Sequence, residues 1–262
     1  MDVFRQPSVT DGWPARGIEI TRSRNAEFLA ALIPREELRA LASLEHSDPG
    51  SILRFAPEAI PGETIPFLGV RLRADQPPVK DGARAEVALA YPFREGSTVS
   101  YRWEFLVPAS FVNDHPQNRR NTIAQWHDQP DTARGERWET KPVLGSPVSL
   151  RLTSREGRSL QLSLQTLDTR AAANGRHEIA TIAYDRWIAI EVRITWSQDP
   201  DRGAVAVHLD GEATPSCEFR GFTMNNRVFH YLKVGLYRST GIRVENRLYL
   251  RRLTCETLAD GP

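Results

Sequence analysis

From Ser51 to the C-terminus, short segments of alternating apolar and polar residues follow one another, with turn residues between them and almost no helical period. Few folds accept such a chain, because each half-apolar strand must lay its apolar face on a second layer. Val99, Tyr101, Trp103, Phe105 and Val107 alternate with Ser100, Arg102 and Glu104. Val148, Leu150 and Leu152 precede Glu156-Gly157 and then Leu160, Leu162 and Leu164, which is a hairpin pattern. Ile188, Ile190, Val192 and Ile194 form another strand; Val205, Val207 and Leu209 run into a second turn at Asp210-Gly211, and the last strand lies near Leu248 and Leu250. No parallel βαβ rhythm interrupts the series. The expected fold is all-β: two antiparallel sheets packed as a sandwich or jelly roll. The longer irregular stretches, 113–121 and 129–147, are expected to form the rim of a cleft.

The first fifty residues differ. From Ala26 to His46, Leu38, Leu41 and Leu44 recur every three residues, a helix-like spacing. Pro34 suits a helix's first turn, and Asp48-Pro49-Gly50 would end it. Residues 1–50 are therefore expected to be an extension with a short helix packed on a jelly-roll domain of residues 51–262, since about fifty residues bury little surface alone.

Charge excludes some partners. The 34 basic and 33 acidic residues leave a net charge of +1, so attraction to a polyanion has to come from a local basic patch. No apolar run approaches the roughly 18 residues of a membrane span. No nucleic-acid partner, no membrane and a monomer are expected. Cys217 and Cys255 either pair or remain buried thiols; two cysteines do not make a disulfide framework. The N-terminus lacks the pattern of a secretory signal, which suits a cytoplasmic protein, or an exported one whose leader is gone.

Three segments carry more polar groups than a structural strand requires. Alternate side chains of a strand face opposite ways. In 84–89, Ala85, Val87 and Leu89 form one face, and Arg84 and Glu86 share the other. In 123–127, Gln125 and His127 share a face opposite Ala124 and Trp126. In 231–237, Leu232, Val234 and Leu236 are the core set, with Tyr231, Lys233 and Tyr237 opposite, and Gly235 leaves a gap where a ligand can approach the sheet. Taken singly, each has a plain reading as a solvated face, a loop histidine or an amphipathic outer strand. Together and in this order they form a candidate site.

Arg-x-Glu, Gln-x-His and Tyr-x-Lys-x-Gly-x-Tyr in succession resemble the three-strand signature of alginate lyase-type jelly-roll polysaccharide lyases. Trp126 within Gln-Trp-His, the Lys141-Pro142-Val143 stretch, and Trp187 to Trp196 followed by the run Val205 to Gly211 look closer to the heparin lyase I and glucuronan lyase family. The resemblance implies β-elimination on a uronic-acid polymer. It implies Gln125 and Arg84 as the clamp on the substrate carboxylate, His127 as base, and Tyr237 as acid or as both acid and base. Lys233, Tyr231 and Glu86, with Arg102 and Arg238 as further groove contacts, would bind the anionic polysaccharide. The chain is short for a jelly roll carrying the basic thumb of heparin lyase I, and Trp126 and Arg238 replace the aliphatic residue and Asn of the alginate-type signature. Both departures favour a glucuronan-like polymer over alginate or heparin.

No cofactor is required for this chemistry. Some lyases of the family carry a structural calcium, and Asn226 is a candidate oxygen ligand for one. Two other classes remain open: a non-catalytic carbohydrate-binding jelly roll, and a glycoside hydrolase, which needs paired carboxylates that no Glu-x-Asp-x-x-Glu strand supplies here.

Overall fold

A computed structural model describes residues 25–259, apart from 47, 57–58, 61–62, 79–81, 113–120, 143, 156–158 and 169–172. Two seven-stranded sheets face one another, and the neighbouring strands of each run antiparallel. The first sheet holds, in order, β1 (Ala42–His46), β4 (Gly82–Leu89), β13 (Tyr231–Ser239), β6 (Asn121–His127), β7 (Val148–Arg155), β8 (Ser159–Asp168) and β9 (Ala173–Ile182). The second holds β12 (Cys217–Arg220), β11 (Ala204–Leu209), β10 (Trp187–Thr195), β5 (Thr98–Leu106), β14 (Asn246–Thr257), β3 (Phe67–Leu72) and β2 (Ile52–Phe55). This is the expected jelly-roll sandwich.

The alternation decides which faces meet. Ala85, Val87 and Leu89 of β4, Leu232, Val234 and Leu236 of β13, and Ala124 and Trp126 of β6 join Val99, Tyr101, Trp103 and Phe105 of β5 in one buried core. Tyr101 meets Trp126 edge to face at 5.3 Å, a contact between the two sheets. Trp126 is therefore core, as its parity requires. Cys217 and Cys255 are free thiols, and no helix among the described residues is long and apolar enough to cross a membrane.

The N-terminal segment departs from expectation. Instead of one helix through His46 there are two short ones, α1 (Asn25–Leu32) and α2 (Glu36–Arg39), separated at Pro34, whose ring disfavours a helical conformation in the preceding Ile33. Ala42–His46 is then a strand, paired with β4 from Ala42↔Leu89 to His46↔Ala85. The sheet thus begins before Ser51. Leu44 serves a two-residue period here, and its three-residue spacing from Leu41 is coincidental.

The hairpin expected at Glu156-Gly157 joins β7 to β8, which pair from Val148↔Thr166 to Arg155↔Ser159; the turn itself lies outside the described residues. At the other expected turn, Asp210 and Gly211 both have positive φ (51° and 78°), the backbone of a tight primed turn, and Glu212 N–H closes it on the Leu209 carbonyl at 3.0 Å. The return strand β12 starts only at Cys217. Of the two expected rim stretches, 113–120 lies outside the described residues, and 129–147 is largely irregular with one 3-10 turn at Thr132–Arg134.

Candidate active site

The face of the first sheet that points away from the core carries the polar residues of all three segments, with β13 at its centre between β4 and β6. Register sets the neighbours. Tyr231 lies opposite His127 and Lys233 opposite Gln125 on the β6 side; Gly235 lies opposite Glu86 and Tyr237 opposite Arg84 on the β4 side. A bulge between Thr122 and Ala124 lets both Ile123 and Ala124 enter the core and turns Thr122 to the polar face, opposite Tyr237.

Gly235 is required by the backbone. Its φ is +150°, and a Cβ there would sit 2.3 Å from the Ala85 carbonyl oxygen and 2.7 Å from Glu86 Cα. The missing side chain also opens the space across which β4 and β6 side chains meet. There Gln125 Nε2 donates to Glu86 Oε1 at 2.6 Å, and Gln125 Oε1 lies 3.2 Å from His127 Nε2 and accepts from Ser146 Oγ at 3.4 Å. We expect Gly235→Ala to collapse both the strand pairing and this contact, read as a large loss of urea stability, since neither neighbour is a flexible side-chain end.

β4 is buried on both faces. The charged side of this strand is therefore not solvated: Glu86 is 1% exposed and Arg84 8%. Lys233 is also buried, and its ammonium pairs with Glu45 Oε2 at 2.6 Å. Glu45 comes from β1 and faces Glu86 directly across the β1–β4 pair. Two carboxylates so placed repel each other, and Lys233 and Arg84 offset that repulsion. Sequence reasoning missed Glu45, because the strand that carries it sits inside an apparently helical leucine spacing.

His127 and Tyr237 lie apart. Their β6 reference points, His127 itself and Thr122, are five residues from one another, roughly 17 Å along an ideal strand before the bulge is allowed for. The imidazole leans toward Gln125. The phenol leans the other way, over Gly82, whose absent side chain makes room for the ring, and the Arg84 guanidinium stacks on it at 4.6 Å. The tyrosine beside His127 is Tyr231, with ring centroids 6.1 Å apart; it is buried, and Trp138 closes over it edge-on at 6.3 Å.

Loop 128–147 and loop 221–230 close the His127 end. Asn225 Nδ2 donates to the Gly145 carbonyl (3.0 Å), Asn226 Nδ2 to the Gln129 carbonyl (2.7 Å), and Arg227 pairs with Asp131 (2.7 Å). Buried Asp128, next to His127, pairs with Lys141 at 2.5 Å. Asn226, expected as a calcium ligand, has its carbonyl oxygen accepting from Val228 N–H within its own turn. Among the described residues no group of three or more His, Cys, Asp or Glu side chains is placed to hold a metal ion.

Two expected groove contacts are elsewhere. Arg102 is on β5 of the second sheet, where it pairs with Glu191 at 2.8 Å and with Glu256. Arg238 shares the parity of Leu232, Val234 and Leu236, so it points inward, is 2% exposed, and donates to the Val244 carbonyl and to Asn246. Glu86 and Lys233, expected to touch substrate, are buried, Glu86 accepting from Gln125 and Lys233 pairing with Glu45. Arg102→Ala is expected to leave turnover unchanged and to alter stability by no more than about 1 kcal/mol, as exposed ion pairs do.

Burial sets the proton chemistry. It pushes the His127 imidazole well below 6.5, and the Lys233 and Arg84 cations add to the effect. Neutral His127 is the form able to take a proton, so a His127-dependent rate should rise with pH through a midpoint below 6.5 and be flat above it. Burial raises Glu86. Deeply buried His230 is pushed down to about 3, its Nδ1 donating to the Val228 carbonyl and its Nε2 accepting from Asn225 N–H, both at 3.0 Å. From 6.5 down to about 3 the unfolded chain binds a proton that the folded chain refuses, so stability falls as pH falls through that window. Urea midpoints measured across it should decline; a constant midpoint would contradict the neutral assignment.

Comparison with known proteins agrees with the fold. The family described as polysaccharide lyase matches residues 41–252. The endo-β-1,4-glucuronan lyase of the fungus Trichoderma reesei superposes with a TM-score of 0.60 at 13% identity, covering 82% of this chain and 90% of that one. Alginate lyase AlyC3 gives 0.51 at 12% identity over 74% and 75% of the two chains. Alginate lyase A1-II′, of polysaccharide lyase family 7, gives 0.51 at 14% over 73% and 79%. At such identities the likeness is one of fold. No curated protein matches the sequence.

Proposed function

We propose that this chain, which belongs to the polysaccharide lyase family, cleaves a 4-linked uronic-acid polymer by β-elimination, with a glucuronan-like backbone preferred. The observation that carries the reading is the polar strip around Gly235, where Arg84, Gln125, His127 and Tyr237 share one face of three adjacent strands.

Elimination removes the C5 proton, next to the carboxylate. The C–H electrons become the C4=C5 double bond, the C4–O4 bond breaks, and O4 leaves with a proton. Negative charge grows on the carboxylate during the step, so donors aimed at it lower the barrier. A carboxylate over Gly235 would meet the guanidinium of Arg84, a planar fork suited to it, and the second N–H of Gln125. His127 would accept the C5 proton and Tyr237 would protonate O4. For that, Tyr237 must turn from its place over Gly82 toward Gly235. If it alone reaches both atoms on one side of the ring, it serves as base and acid in turn.

The register favours a second reading, in which Tyr231, the cross-strand partner of His127, supplies the acid. Separate Tyr231→Phe and Tyr237→Phe variants distinguish the two.

The preference for a glucuronan-like chain rests on Trp126 and Arg238 at the two places where the sequence leaves the alginate-type pattern, and on the likeness to a glucuronan lyase fold. The test is a panel of glucuronan, alginate, heparin, hyaluronan and xanthan, read by the ultraviolet absorbance of the unsaturated uronate product. Rising absorbance on glucuronan is expected. A flat response on every polymer from folded protein would turn the reading to a carbohydrate-binding jelly roll.

A further inference from the structure

We infer that Glu86 is a positioning residue that fixes the tautomer of His127 through Gln125, leaving Nδ1 as the basic nitrogen; this rests on the lyase reading of the same site. The hydrogen-bond chain supplies the argument. Gln125 is held with its amide nitrogen on Glu86 Oε1 (2.6 Å), which leaves its carbonyl oxygen facing His127 Nε2 at 3.2 Å and Ser146 Oγ at 3.4 Å. An amide oxygen only accepts, so the hydrogen of a neutral His127 must be on Nε2 and the lone pair on Nδ1.

Without Glu86 the amide nitrogen loses its acceptor, and the Ser146 hydroxyl, able to accept as well as donate, does not by itself fix the orientation. Turned over, the amide would present N–H to Nε2, move the ring hydrogen to Nδ1 and reverse which nitrogen can take a proton. Glu86 is held in place by its own surroundings: it is buried and faces Glu45 across the sheet, with Arg84 on its own strand and the Lys233 ammonium on the next. The groups around His127 are Lys233 and Tyr231 on β13, Arg84 on β4, and Lys141, Asp128 and His230 in the rim loops. None of them stands where Glu86 does on Gln125.

The readout is the His127 ring itself, by nitrogen-15 NMR of histidine-labelled full-length protein, with kcat and KM on the polymer the panel identifies. The native protein should show the Nε2–H tautomer. Glu86→Gln keeps an acceptor for the Gln125 amide and should preserve that tautomer and most of kcat. Glu86→Leu, which offers no acceptor, should give a mixed tautomer and a kcat lowered in proportion to the Nε2–H population lost, about twofold for an even mixture, with little change in KM. A native Nδ1–H tautomer would overturn the inference without any variant having to fold, as would a Glu86→Leu protein with native tautomer and native kcat. A native enzyme that releases no unsaturated product from any uronan ends the lyase reading, whereas the tautomer result still decides the hydrogen-bond chain.

Discussion

Tyr237→Phe is expected to lower the release of unsaturated product by about a hundredfold to ten-thousandfold, the contribution of a single positioned proton-transfer group. The change removes one oxygen and keeps the ring on which Arg84 stacks at 4.6 Å, so KM should move far less than kcat. His127→Ala should show a loss of the same order. The informative comparison is with Tyr231→Phe. Tyr231 is packed under Trp138 beside His127, and if Tyr237 is the acid, loss of the Tyr231 hydroxyl should leave most of kcat in place. A normal rate from Tyr237→Phe together with an inactive Tyr231→Phe would move the acid to the other end of the strip. Normal rates from both would end the tyrosine mechanism.

The second large effect is on folding. Lys233→Met should destabilise the protein by about 3–5 kcal/mol, because it leaves the Glu45 carboxylate buried without its cation. The pair is 2.6 Å apart, with side chains 4% and 1% exposed, so water cannot replace the lost partner. Lys233→Met combined with Glu45→Leu should recover most of that loss, since a well-packed apolar pair costs no desolvation of charge. Urea unfolding of the single and double variants tests this; a Lys233→Met cost below about 1 kcal/mol would mean the pair behaves as a hydrated one. The same single change removes a cation that lowers His127, so the acid limb of its activity should move to higher pH.

Much of the site could be read from alternation. Strand parity put Gln125 with His127, Arg84 with Glu86, and Tyr231 with Lys233 and Tyr237, and the observed faces agree for each set. The same rule assigns Arg238 to the core face with Leu236, where it lies, so its expected place in the groove is at odds with its parity. Parity gives no information on which sheet a strand joins, which is why Arg102 was expected in a groove that belongs to the other layer.

By itself the sequence determined the all-β class, the sandwich and the inward face of each strand, because these follow from a two-residue period that is local to each segment. Only the tertiary structure decided who neighbours whom. Register across β1, β4, β13 and β6 brings Glu45 to Lys233 and Glu86 to Gln125, contacts that span 188 and 39 residues of chain. Register also sets Tyr237 apart from His127 and places Tyr231 beside it. Such pairings depend on strand order and on the bulge between Thr122 and Ala124, which are long-range properties that no local periodicity encodes.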